Sequence, residues 1–202
     1  KDLIINSDPK LLEELCDLII ESGIEVGWSA NCSPTPGMTF ELYKKMHDAG
    51  CKVLIFGVES LSTRVLKLMN KPYTASEAMD SMQSAKAADI EVHVNLIVGF
   101  PGEEDEDIIE TARRLRESQR FVDWVDAIHP CYVFPNSALE RQAHRFGVHL
   151  PAGPERFNRW HYRNKNNYSY RAKKLKELAL FISELDVKFH LEHVLPPNDP
   201  IR

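Results

Sequence analysis

Short apolar runs that read as strands alternate with stretches of helical periodicity along most of this sequence, and that alternation restricts the fold more than any other feature. Leu11, Leu12, Leu15, Leu18 and Ile19 recur at helical spacing between Asp8, which can cap, and Gly23, which can stop the helix; Pro9 suits its first turn. A strand over 24–28 follows, then a loop over 34–37, then a helix that opens at Thr39 and closes at Gly50. The spacing next predicts a strand over 52–58, helices over 61–69 and 75–88, a strand over 91–98, a helix over 104–117, a strand over 122–133 and a helix over 138–145. Thr74 and Glu77 have the spacing of a capping box. Strands alternating with helices imply an α/β fold with parallel strands joined by right-handed crossovers. A barrel and an open doubly wound sheet both fit, and no GxGxxG follows a strand. Leu3, Ile4 and Ile5 read as the tail of an earlier strand, so at least one further βα unit is expected upstream.

From Gly147 the character changes. Pro151, Gly153 and Pro154 interrupt the chain, and Arg159-Trp160-His161-Tyr162 leads into an Asn-rich stretch that reads as a linker or cap. A helix over 170–185, a strand over 187–195 and a frayed Pro-rich tail are expected after it. The division is therefore a partial barrel over 1–146 and a C-terminal linker and helix extension over 147–202.

Composition excludes some functions. With 202 residues, 43% hydrophobic and 27% charged, the chain can bury a sizeable core. A net charge of -5 argues against a nucleic-acid partner, whose phosphates call for clustered Lys and Arg. No stretch has the roughly 20 apolar residues of a membrane span, and none reads as a signal peptide. The 4 cysteines lack the spacing of a disulfide framework or metal knuckle. A reducing cytoplasm is the expected compartment.

In parallel barrels the working groups gather where strands end. On the 91–98 strand Val92, Val94, Leu96 and Val98 share one face, which leaves His93, Asn95, Ile97 and Gly99 on the other, with Asn95 pointing into a cavity. Glu59 shares a face with Val53, Ile55 and Gly57, and a carboxylate at the end of a buried strand needs a hydrogen-bonding partner, for which ribose hydroxyls are suitable. Plainer readings stand beside these. Gly99-Phe100-Pro101-Gly102 followed by acids also meets what any βα turn needs, Glu59 could be a helix-start charge with Ser60 as cap, and Lys71 could be a solvated lysine. His93 and His129 read more readily as packed residues than as metal ligands. Trp160, His161 and Tyr162 read as pins for an appendage, and Cys131 lacks neighbours that would activate a thiol.

Gly57-Val58-Glu59-Ser60, then Val65-Leu66 and Met69-Asn70-Lys71, then Val94 through Glu103 resemble, in that order, the fourth- and fifth-strand motifs of radical S-adenosylmethionine (SAM) enzymes. Met38-Thr39 through Met46, Ala49-Gly50-Cys51 and Pro135-Asn136-Ser137 resemble the subgroup that often carries an upstream cobalamin-binding domain, such as the anaerobic Mg-protoporphyrin monomethyl ester cyclase-like proteins. The resemblance covers residues 1 to 145. It implies a partial (β/α) TIM-type barrel, about strands 3 to 6 of six, in a protein that cleaves SAM reductively at a [4Fe–4S] cluster. The resulting 5′-deoxyadenosyl radical then abstracts hydrogen from a small-molecule substrate. It also implies that Glu59 and Asn95 contact the SAM ribose, that Lys71 meets the methionyl carboxylate, and that Gly99, Pro101 and Gly102 form a turn close to the adenine. Two departures stand out. No CxxxCxxC occurs, so these residues should bind no cluster and be inactive alone, and Thr35 stands where relatives often place an arginine. The rival readings are an ordinary barrel using Glu59 with His93 or His129 in acid–base chemistry, and a cluster-less scaffold module. An unclosed barrel would leave a raw sheet edge, through which self-association is expected.

Overall fold

Local signals start and stop the helices where the spacing predicts, in a computed structural model that describes residues 4–189 apart from 154 and 164. Asp8 accepts from the backbone N–H groups of Lys10 and Leu11 and begins α1 (Pro9–Ser22), which Gly23 ends in the left-handed region at φ 67°. After β1 (Trp28–Cys32), Thr39 caps α2 (Phe40–Asp48). Then come β2 (Cys51–Glu59) and α3 (Thr63–Leu68), which is capped by Ser62 rather than Ser60. The reciprocal Thr74–Glu77 box opens α4 (Ala75–Ala87). Next are β3 (Glu91–Val98), α5 (Asp105–Ser118) and β4 (Trp124–Pro130). Four short elements follow: α6 (Ala138–Arg141), β5 (Val148–His149), α7 (Arg156–Arg159) and β6 (His161–Tyr162). The described chain closes with α8 (Tyr168–Ile182) and β7 (Lys188–Phe189).

The main sheet has five strands in the order β1-β2-β3-β4-β7, all parallel. Because the strands follow chain order without reversal, right-handed crossovers put every connecting helix on the same face. That is the arc of a (β/α) barrel and not a doubly wound sheet, whose strand order reverses at a switch point. Burial follows the same division. Leu54, Phe56 and Val58 of β2 and Val92, Val94, Leu96 and Val98 of β3 are buried toward the helices, whereas Val53, Ile55, Gly57, His93, Asn95 and Ile97 between them are half-buried on the other face.

Three boundaries differ from expectation. The first strand lies at 28–32, not 24–28. Apolarity favoured the earlier segment, but backbone pairing decides: Trp28 donates to Gly50 O at 3.0 Å and Ser29–Cys32 align with Val53–Phe56, while Ile24 remains 66% exposed. The fourth strand stops at Pro130, and the helix expected over 138–145 has only four residues before it breaks into turns. Ile5, expected as the tail of an earlier strand, donates its N–H to Asn31 O of β1 at 2.9 Å. Leu3 lies outside the described residues, as do 190–195 of the expected last strand and the Pro-rich tail.

The C-terminal region has two parts. Leu175, Leu178, Ala179 and Ile182 of α8 join the same core as the sheet, and β7 extends that sheet beyond β4. Residues 131–162 instead build a small core of their own, in which Cys131, Val133, Val148 and Trp160 pack over Ile97 and Phe100 at the ends of the strands.

Candidate functional site

The end of β2 is irregular where the motif residues fall. Gly57 aligns with Asn95 of β3 and Glu59 with Leu96, so Val58 is an extra residue that makes a bulge. Glu59 occupies the left-handed region at φ 67°, a conformation that costs a non-glycine residue about 1 kcal/mol or more. Its carboxylate folds back over Gly57: a Cβ there would lie 3.2 Å from Glu59 Oε1. Lys71 Nζ lies 3.3 Å from the same oxygen. Tyr73, in the loop just after Lys71, donates its hydroxyl to Gly57 O at 3.1 Å. Burial first, and then the Glu59 charge, raises the Tyr73 phenol above its usual range.

Asn95 is on the same face one strand over. Its Oδ1 is buried and accepts no hydrogen bond. A buried amide oxygen left open on a strand that otherwise pairs fully is a group that a ligand donor would satisfy. Glu59 and Asn95 stand on adjacent parallel strands with Gly57 opposite Asn95 and, past the bulge, Glu59 opposite Leu96.

The turn after β3 is held by its own acid. Glu103 is buried and accepts from the Gly99 N–H, while burial pushes its carboxyl up to about 8. Gly99 and Gly102 both have positive φ. Arg64 reaches across from α3 to the carboxylate of Asp107 and donates to Gly102 O at 2.7 Å, which ties the turn to the neighbouring βα unit. Burial opposes ionisation of Asp107, but Arg64, the Glu104 N–H and the Ser62 hydroxyl hold its carboxyl below the usual range.

A cavity of about 400 Å³ opens beside these residues, between the strand ends and the 131–162 segment. Glu59 and Lys71 line one part of it. Ile97, Phe100, His129 and Cys131 come from the ends of β3 and β4 and the residues that follow them, and Tyr132, Phe134, Ser137 and Leu139 come from the segment above. Of the residues singled out from sequence, then, Glu59 and Lys71 line the cavity; Asn95, expected to point into it, is not among its lining residues, although it shares the face of β3 that Ile97 continues. Gly99, Pro101 and Gly102 do not line it. The space beside Gly99 is filled by Arg171, and Gly102 borders a separate groove with Asn166 and Tyr170.

His93 hydrogen-bonds with Asp126 at 2.8 Å and Glu91 at 3.1 Å. All four cysteines are buried, with burial pushing Cys51 and Cys131 up to about 12. Among the described residues no three Cys, His, Asp or Glu side chains converge on a point that could hold a metal ion, and no helix is long and apolar enough to cross a membrane. Trp160 pins its segment, as expected, by donating Nε1–H to Cys131 O at 2.9 Å.

Several functional positions gave no sequence signal. Asn6 is buried and organises the loop after β1, donating to Ser33 O at 2.6 Å and Thr35 Oγ1 at 3.1 Å and accepting from the Ser33 N–H. Nothing near Asn6 in the chain foretells a partner 27 residues away. Asn166 and Arg171 belong to the same class, because each acts on a turn more than 60 residues distant. Tyr73 alone could have been found, since it directly follows a loop already suspected.

Comparison with known proteins agrees with this fold. Residues 5–115 match the radical SAM superfamily. The chain is 30% identical over 95 residues to an uncharacterized methyltransferase, PH0819, of Pyrococcus horikoshii, covering 47% of this chain and 20% of that protein. It is 34% identical over 114 residues to the tRNA-2-methylthio-N(6)-dimethylallyladenosine synthase of Thermotoga petrophila, covering 54% and 25%. The matched segment is thus a fifth to a quarter of those relatives' own length. In fold the chain is similar to the radical SAM methyltransferase TsrM of Kitasatospora setae, solved with cobalamin and a [4Fe–4S] cluster bound: TM-score 0.62, 14% identity, 87% of this chain and 37% of that one. A second structure of TsrM, with tryptophan substrate and aza-SAM bound, gives a TM-score of 0.60 at 15% identity, over 75% and 32%.

Proposed function

Because this chain belongs to the radical SAM superfamily, we propose that it forms the SAM-facing and substrate-facing part of a radical SAM enzyme that acts on a small organic molecule. When bound and reductively cleaved, SAM supplies the carbon-centred oxidant that abstracts hydrogen from such a substrate. The described residues do not fit the [4Fe–4S] cluster: CxxxCxxC is absent from the sequence, and no set of side chains converges to replace it. The contribution of this chain is therefore toward SAM and substrate.

The observation that carries the reading is the pair formed by Glu59 and Asn95. One is a carboxylate held at φ 67° at the bulged end of β2, the other an amide oxygen midway along the adjacent parallel β3, buried without a donor among the described residues. Ribose hydroxyls would donate to both. Lys71 is held to Glu59 by an ion pair worth about 1 kcal/mol at this partial exposure, so it can turn to a ligand carboxylate at little cost. Phe100, Tyr132, Phe134 and Leu139 make the remaining wall mostly apolar, which suits an uncharged or aromatic organic substrate more than a polyanion, as does the net charge of -5.

The test is equilibrium binding of SAM to the full-length protein. Asn95→Ala and Glu59→Gln are each expected to weaken it about tenfold or more, in keeping with the loss of a hydrogen bond to a buried group. Unchanged affinity in both would end the reading. For the chain on its own we also infer self-association along its open side, where Leu11, Leu15 and Leu18 of α1 are exposed. A monomer in sedimentation at high concentration would contradict that.

A further inference from the structure

The family match ends at residue 115, yet the turn after β3 is clamped by residues far beyond it. Glu103 takes the Gly99 N–H from below. From above, buried Asn166 donates Nδ2–H to Gly99 O at 2.8 Å and also reaches Phe100 O at 3.4 Å. The third side is Arg171. Its aliphatic stem fills the place of the missing side chain, so that a Cβ on Gly99 would lie 2.3 Å from Arg171 Cγ.

Arg171 is unusual in its own right. It is fully buried, and among the described residues none of its hydrogen-bond acceptors is a carboxylate. Its guanidinium carbon lies over the Trp160 ring, 3.8 Å from the centroid. It donates to Asn166 Oδ1 at 2.9 Å, to Asn166 O at 3.3 Å, to Trp160 O at 3.1 Å and to Asn158 O, while Nε remains unsatisfied. A buried cation met by carbonyl dipoles and an aromatic face is an expensive way to fill space, which an apolar side chain of similar size would fill at lower cost. The fork geometry does what a leucine could not. It fixes the rotamer of Asn166, and Asn166 in turn fixes two carbonyls of the turn.

We propose that Arg171, acting through Asn166 and stacked on Trp160, is a positioning residue that sets the backbone of the Gly99–Phe100 turn for the cofactor and couples that turn to the 131–162 segment walling the cavity. This rests on the SAM reading above and extends it to residues outside the family match. The clamp makes the cavity wall and the turn that carries Phe100 into the cavity one unit.

The experiment uses the full-length protein with SAM as the probe and compares Asn166→Ala and Arg171→Met with Leu178→Ala, a core change in α8 remote from the turn. Binding affinity is measured beside thermal stability and amide exchange at Gly99 and Phe100. The expected result is SAM affinity reduced about tenfold and faster exchange at those amides in both clamp variants, with Leu178→Ala lowering the melting temperature at least as much but leaving SAM affinity within about twofold. Should Arg171→Met fail to fold, Asn166→Ala decides by itself. Clamp variants that lose stability and keep their affinity overturn the proposal. A wild-type protein that binds no SAM overturns the cofactor reading beneath it, which is a separate outcome.

Discussion

The paired strands β2 and β3 and the segment over 131–162 both border the cavity, but they are held together by different physics. The strands rest on a continuous apolar layer in which Phe56, Leu54, Val92 and Val94 are buried against the helices. The overlying segment has a core of four buried residues and depends on single polar side chains, Trp160, Asn166 and Arg171, that reach backbone carbonyls. A layer built from many weak contacts fails gradually as residues are trimmed, whereas a clamp built from a few directed bonds fails locally and at once.

The largest effect should come from the layer. Phe56→Ala is expected to cost about 3–5 kcal/mol of global stability, read by denaturant unfolding, because it opens a cavity in a close-packed core. Trp160→Ala removes a side chain at least as large yet should shift the global midpoint by only about 2 kcal/mol, with new proteolytic cleavage confined to residues 147–158. Equal global losses in the two variants would erase the distinction between the regions.

A third prediction concerns pH. Burial raises the Glu103 carboxyl to about 8, against the pull of the Gly99 N–H. Below the ordinary carboxylate range both the folded and unfolded chains hold the proton, so nothing is lost. As the pH rises toward 8 the unfolded chain ionises first, and the stabilisation linked to Glu103 disappears across that window. Glu103→Gln keeps an oxygen for Gly99 and removes the titration. Its melting temperature should exceed the wild type by a few degrees at pH 8 and match it near pH 4, measured by calorimetry.

The smallest effect has the opposite sign. Glu59→Gly relieves a left-handed backbone and should raise stability by about 0.5–1 kcal/mol while weakening SAM binding. A variant less stable than wild type would mean that the Glu59–Lys71 ion pair outweighs the backbone strain.

Much of the fold could be read from residue order alone because its determinants are local. Caps at Asp8, Thr39 and Thr74 lie within four residues of the groups they satisfy, and the alternation in β3 put Asn95 and Val94 on opposite faces without any knowledge of neighbours. The first strand was displaced by four residues because apolar content at 24–28 competed with a pairing partner, β2, that only the folded chain supplies. The stretch from Gly147 read as a linker or cap because the small core it joins draws on residues from Ile97 to Tyr162, and no periodicity spans that range.

The sequence by itself determined the parallel α/β alternation, the face each strand turns to the helices, and the order in which Glu59, Lys71 and Asn95 appear. These follow from φ/ψ preferences, periods and caps that act over a few residues. Only the tertiary structure decided that Glu59 takes a left-handed backbone at a bulge, that Asn95 keeps an open acceptor, and that Arg171 and Asn166 hold a turn more than 60 residues away. The reason is physical: a hydrogen bond to a distant carbonyl needs only one well-placed side chain, and a single residue leaves no pattern in a sequence.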